Sequence, residues 1–300
     1  MAGSYFPLDD RPFRLRMGLR PLDLAEWLEP DEHAADDLAL KQQLVAERYD
    51  DVVAIVDEPT VHAACDELWS LVEPAARGFV LRGTTPASLL AAQNPDDHHP
   101  IVRAGLATQE DWVVMAPVGG RLVLAAACVC FPTRWVLATK IGKPMAAVHE
   151  HVAYYDEHLS LPVDSFFERL TVDRPMWRLN WNLMDDPTLF QPVAGSAASV
   201  PAVPADEVGD RIWLRIERQT LRRLPETGAI VFGIRIHQRP LSALVAHPDQ
   251  LATLRTAIAN LPPETFAYKS LGGFAQALDT WIGATTTNVR AGQAGEGSTS

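Results

Sequence analysis

Trp112-Val113-Val114-Met115-Ala116, then Gly119-Gly120, then Arg121-Leu122-Val123-Leu124-Ala125-Ala126-Ala127-Cys128-Val129-Cys130-Phe131: this stretch decides the fold. The first run is short and rich in β-branched and aromatic residues. The glycine pair supplies the two positive-φ positions of a tight hairpin turn. The second run is apolar on both faces in its middle, the pattern of a buried strand. A hairpin therefore stands near the centre of the chain.

Upstream, the pattern is helical. Leu22 to Leu28 opens a helical signal. Asp31 is placed to cap a second helix carrying Leu38, Leu40 and Leu44. Val61, Ala64, Leu68 and Leu71 recur at helical spacing, with Thr60 as a cap. Asn94 to Pro100 is turn chemistry, and its adjacent histidines, His98 and His99, point apart, which favours a solvated loop over a metal pair. Downstream of the hairpin come about forty residues of helix and loop, including Met145 to His158 and Val163 to Leu170. Strands are expected at Trp177–Met184, Arg211–Arg218 and Ala229–His237. The segment Arg222 to Gly228 reads as a turn and Pro192 to Pro204 as a loop. Two further helices follow near Leu241–Val245 and Pro248–Leu261. The expected class is α+β: an antiparallel sheet of about five strands, a helical insert, and flanking N- and C-terminal helices. Two strands, a helical connection and three strands is also the order of a PAS-type fold. One domain is expected over residues 1–283, with a PAS-like core at about 110–240 and a disordered, Gly/Ser/Thr-rich tail at 284–300.

The 300 residues carry a formal net charge of −12. That argues against nucleic acid and against anionic membrane surfaces as partners. No apolar run approaches the roughly 20 residues of a membrane span. Residues 1–10 lack the basic and apolar regions of a signal peptide. The three cysteines, Cys65, Cys128 and Cys130, have no disulfide-framework spacing. Together these features lead us to expect a cytoplasmic protein. His149, in the insert behind an apolar run, is either a metal or heme-iron ligand or a hydrogen-bonded core histidine.

Several motifs together resemble the family of the heme-dependent oxidative N-demethylase alpha subunit. They are Met17-Gly18-Leu19-Arg20-Pro21-Leu22, Gln109-Glu110-Asp111, Cys130-Phe131-Pro132 with Arg134-Trp135, and Lys140-Ile141-Gly142 through Val148-His149. To these are added Arg178-Leu179-Asn180-Trp181, Leu214-Arg215-Ile216-Glu217-Arg218-Gln219-Thr220-Leu221-Arg222-Arg223-Leu224-Pro225, and Tyr268-Lys269. The resemblance spans roughly residues 13–280. After the histidine the family commonly has a segment resembling His-x-Pro-Val-Pro-x-Tyr; here the chain reads His149-Glu150-His151-Val152-Ala153-Tyr154-Tyr155.

The resemblance implies a PAS-like domain holding heme b and oxidising a small secondary amine, dimethylamine in the best-known case, to a primary amine and formaldehyde. Dioxygen is the co-substrate. Electrons would come from NADPH through separate reductase subunits carrying FMN and an iron–sulfur cluster, since this chain has no Gly-rich dinucleotide fingerprint and no four-cysteine cluster pattern. His149 then becomes the iron ligand, with His151 and Cys130 as rivals. Arg215, Arg218, Arg222 and Arg223 are candidates for the heme carboxylates, or for ion pairs with Glu217 and Glu226. Glu217 is placed to hold an ammonium substrate; Glu110 and Asp111 are placed to do the same or to relay protons. Tyr155, Trp177 and Trp181 are candidate pocket aromatics. The alternative is a PAS-like heme or small-ligand sensor without turnover. A hydrolase is disfavoured, because neither a Gly-x-Ser-x-Gly elbow nor a His-Glu-x-x-His motif is present.

Overall fold

A computed structural model describes residues 5–83, 98–150, 160–192 and 202–296. In chain order the strands are β1 (Arg20–Pro21), β2 (Val53–Ile55), β3 (Asp111–Val118), β4 (Arg121–Cys128), β5 (Met176–Met184), β6 (Trp213–Arg223) and β7 (Ile230–Pro240). The helices used below are α1 (Ala34–Glu47), α2 (Tyr49–Val52), α3 (Pro59–Leu81), α4 (Pro100–Ala107), α5 (Met145–Val148), α6 (Ser160–Arg169), α7 (Val208–Arg211), α8 (Pro248–Ala259), α9 (Pro263–Tyr268) and α10 (Ala275–Glu296).

The strands form one sheet in the order β1-β5-β6-β7-β3-β4-β2, with every neighbouring pair antiparallel. Gly119 and Gly120 turn the β3–β4 hairpin with φ of 58° and 79°, values open to glycine at no steric cost. A bulge between Val114 and Met115 sends both Ala125 and Ala126 into the same core.

Alternation along the strands gives the sheet a front and a back. On the back, α3 and α4 pack against Trp112, Val114, Ala126 and Val231, and the C-terminal helices pack against Leu183, Leu214 and Ile216. On the front, Val113, Met115, Leu124, Leu221 and Ile230 meet Met145, Val163, Phe167 and Leu170 of the insert. Two glycines permit the closest approaches. A Cβ on Gly105 would lie 2.5 Å from Cys128 Sγ, and one on Gly233 would lie 2.8 Å from Thr220 Oγ1 and 3.1 Å from the Trp112 ring.

The sheet has seven strands rather than about five. The additional ones, β1 and β2, are two and three residues long, too short to show a period of two. β6 runs on to Arg223, so Arg222 and Arg223 belong to a strand and not to a turn. The helix α10 continues to Glu296, so the boundary expected at residue 284 falls inside a helix. Buried Leu278 and Ile282 anchor that helix, and its alanines and lack of proline let it propagate. At the other end, α1 begins after His33, two residues beyond Asp31; the Asp31 carboxylate caps the turn that leads into the helix, accepting from His33 N at 3.0 Å, and also pairs with Arg235. Thr60 lies inside α3, which starts at Pro59 in the first-turn position that proline tolerates.

Candidate functional site

His149 closes α5, and the preceding turn is built to present it. The outward edge of β4 at Leu124 is taken by the turn after Lys140: Gly142 N donates to Leu124 O at 2.8 Å, and Leu124 N donates to Lys143 O at 2.9 Å. Gly142 adopts φ 76° to make that turn. The Lys140 ammonium, on a side chain 8% exposed, donates to Val148 O at 2.6 Å and so fixes the carbonyl just before His149.

His149 Nδ1 lies 3.0 Å from Met145 O. A carbonyl only accepts, so the proton sits on Nδ1 and the lone pair on Nε2. Burial pushes the His149 imidazole down, and the Arg178 and Lys140 charges add to that against the Met145 bond and Glu217. A neutral imidazole whose other nitrogen is oriented by a backbone carbonyl is the form that binds iron.

Glu217 shares this front compartment. The β5–β6 register sets Asn180 opposite Glu217, Arg178 opposite Gln219 and Asn182 opposite Arg215, so the front of these strands is polar. β5 remains only partly buried from Met176 to Asn182. Glu217 is 9% exposed, and its Oε2 accepts from Gln219 Nε2 at 2.8 Å and Asn180 Nδ2 at 3.4 Å. Its charge is felt at His149, Arg215, Tyr268 and Lys269.

Lys269 reaches the same place from the C-terminal helices. Its Nζ donates to Trp181 O at 2.6 Å and contacts Asn182 Oδ1 at 3.3 Å, 4.3 Å from the Trp181 ring centre. β1 covers β5 only at Trp177 and Met176, so the ammonium occupies an edge that no strand covers. Burial pushes Lys269 down to about 8, with Arg178 adding to the fall and Glu217 opposing it. Arg178, Asn180, Asn182, Gln219 and Lys269 are the site residues that composition and spacing did not single out. The β5–β6 register brings the first four together, and Lys269 joins them from the end of α9.

The four arginines do not converge. Arg215 and Arg223 point to the front, while Arg218 and Arg222 point to the back, because successive strand residues alternate. Arg215 is sealed from solvent. Its guanidinium donates to Phe131 O, Leu189 O, Thr188 O and Thr133 Oγ1, welding two loops to β6. Arg223 donates to Leu170 O, Phe167 O and Gly228 O, which fixes α6. Arg218 pairs with Glu29 at 3.1 Å and donates to Glu26 O and Trp27 O. The Arg222 guanidinium lies 4.6 Å from the Trp27 ring centre. The four therefore do not form one cluster: Arg215, Arg218 and Arg223 bond to the protein's own loops, and Arg222 lies against Trp27.

Glu110 and Asp111 are likewise committed elsewhere. Glu110 Oε1 accepts from Glu29 N at 2.8 Å. Asp111 pairs with Lys41 and accepts from Phe131 N at 2.7 Å. Cys130 is fully buried, and its bond to Cys128, then burial, raise its thiol well above the ordinary range, which disfavours a thiolate ligand. Trp177 faces the back, stacked with Arg20 and Arg218, and Trp181 lies under Lys269. Tyr155 and His151 lie outside the described residues. His99 is no solvated loop residue: it caps α4 through Ile101 N and pairs with His62 at 3.0 Å. Among the described residues no cluster of three or more His, Cys, Asp or Glu is arranged to hold a metal ion.

The front compartment thus combines one oriented neutral imidazole, a carboxylate held by amides, and an apolar wall that includes Val148, Phe166, Phe232 and Ile234. The donor set is compatible with a heme, since His149 offers an oriented neutral imidazole. Fold and site define an α+β protein with an imidazole-bearing insert over one face of its sheet. Residues 79–278 match the model of the family described as haem-dependent oxidative N-demethylase, alpha subunit-like, and the chain belongs to that family. The match contains His149, Asn180, Glu217, Gln219 and Lys269.

Proposed function

We propose that this chain is the heme b-bearing subunit of an oxidative N-demethylase acting on a small secondary amine of the dimethylamine kind. The observation that carries the reading is the pairing, in one compartment, of the neutral imidazole of His149 with the amide-held carboxylate of Glu217. Family membership supports the heme. The order of a hairpin, a helical insert and three more strands in one sheet supports a PAS-like core at about 110–240.

His149 holds the iron through Nε2, and Met145 O keeps that nitrogen unprotonated. Glu217 attracts the ammonium form of the substrate and orients its N-methyl group toward the cofactor. When bound, heme supplies the activation of dioxygen. In the balanced reaction an N-methyl C–N bond breaks, and the carbon leaves as formaldehyde carrying one oxygen atom. The other oxygen becomes water, with two electrons and two protons supplied. Those electrons come from NADPH through partner subunits bearing FMN and an iron–sulfur cluster. Among the described residues no helix is long and apolar enough to cross a membrane.

The test is the absorbance spectrum of the protein expressed with heme precursor or reconstituted with hemin, before and after dithionite. A stoichiometric Soret band that His149→Ala abolishes supports the assignment. No band after reconstitution overturns it. With a supplied reductase, dimethylamine-dependent formaldehyde release marks the enzyme, whereas ligand binding without formaldehyde marks a sensor.

A further inference from the structure

Both amide donors on Glu217 reach the same oxygen. Gln219 Nε2 is 2.8 Å and Asn180 Nδ2 is 3.4 Å from Oε2, and among the described residues no hydrogen bond reaches Oε1. No Lys, Arg or His among them forms an ion pair with this carboxylate, although it is 9% exposed. The cations around it are engaged elsewhere: Arg215 with loop carbonyls and Thr133, Lys269 with Trp181 O and Asn182. The donors are placed by the sheet itself. Asn180 is the direct cross-strand partner of Glu217, and Gln219 is its next neighbour on the same face of β6.

We infer that Asn180 and Gln219 are positioning residues that fix the Glu217 carboxylate through Oε2 and leave Oε1 to accept from a small ammonium ligand carrying at least one N–H. This rests on the amine reading above and adds to it the residues that set the carboxylate and the kind of cation admitted. Hydrogen bonds to a charged group are the strong ones, and holding it on two paired strands removes a rotamer that binding would otherwise have to freeze. A quaternary ammonium has no N–H to donate to Oε1, so the site discriminates against it.

The test uses the full chain reconstituted with hemin, titrated by calorimetry with dimethylammonium chloride and with tetramethylammonium chloride. Retained Soret absorbance checks that each variant is folded. Gln219→Leu, the closer isostere Gln219→Met, and Asn180→Leu are each expected to weaken dimethylammonium binding about 10-fold. In a Glu217→Gln background the same changes should have no further effect, because they act through the carboxylate. Tetramethylammonium should bind at least about 10-fold more weakly than dimethylammonium to the unaltered chain. Unchanged affinity in the Gln219 and Asn180 variants, or equal losses in the Glu217→Gln background, would overturn the inference alone. Hemin binding with no dimethylammonium binding would overturn it together with the amine reading.

Discussion

Lys41 and Asp111 form an ion pair of 3.0 Å with side chains 0% and 1% exposed. The pair joins α1 to the first residue of β3. It also reaches the end of the hairpin, since Asp111 accepts from Phe131 N and the Lys41 ammonium lies 5.2 Å from the Phe131 ring centre. Removing one partner leaves the other charge buried alone. Lys41→Met and Asp111→Ala should each lower stability by about 3–5 kcal/mol, read as the urea midpoint. The double variant Lys41→Met/Asp111→Leu should cost less than the two together, because it buries no lone charge.

The contact of α4 with β4 allows no side chain at Gly105. Gly105→Ala should cost about 1–3 kcal/mol, since its Cβ would meet Cys128 Sγ at 2.5 Å. In a Cys128→Ala background the cost should fall without vanishing, because the Cys128 Cβ would still lie 3.2 Å away. Thermal unfolding of the four proteins in the cycle measures this.

Lys269 gives stability a pH dependence of known sign. Its ammonium is pushed down to about 8 in the folded protein, against about 10.4 in an unfolded chain. Between those values the unfolded state binds more protons, so stability rises with pH across that window, by at most about 1.4 kcal/mol per pH unit for one group. Lys269→Met should remove that part of the rise. Urea midpoints of both proteins, followed from about pH 7 to about pH 11, should differ most below the window and approach one another above it.

Lys140 anchors the turn that presents His149 through a 2.6 Å bond to Val148 O. Lys140→Met should keep hemin bound but release it about 10-fold faster to apomyoglobin, the loss expected for one hydrogen bond to a charged group. An unchanged release rate would show that the turn holds its shape without the ammonium.

Much of this was legible in the sequence where a period or a special residue marks it. Gly119-Gly120 announces the hairpin, and the alternation from Ile212 to Glu217 announces β6. His149 and Glu217 are marked by the family resemblance of the motifs that hold them. What was hidden depended on pairing. β1 and β2 are too short to carry a pattern, and Asn180 meets Glu217 only because of the β5–β6 register. The acidic Glu110-Asp111 pair looks like chemistry until Lys41, far away in the chain, proves to be its partner. The arginines of β6 look like one basic cluster because they are near in sequence, yet the pleat assigns them to opposite sides.

That last arrangement makes β6 a party wall. One side carries Glu217 and Gln219 toward the His149 compartment; the other carries Arg218 and Arg222 toward the segment holding Glu26, Trp27 and Glu29. A single-residue insertion or deletion within the strand would not weaken the wall locally. It would transpose its two tenants, presenting guanidinium groups to the imidazole and burying a carboxylate among the N-terminal carbonyls. Sequence drift along β6 is open to substitution, one position at a time, and closed to a change of length by an odd number of residues.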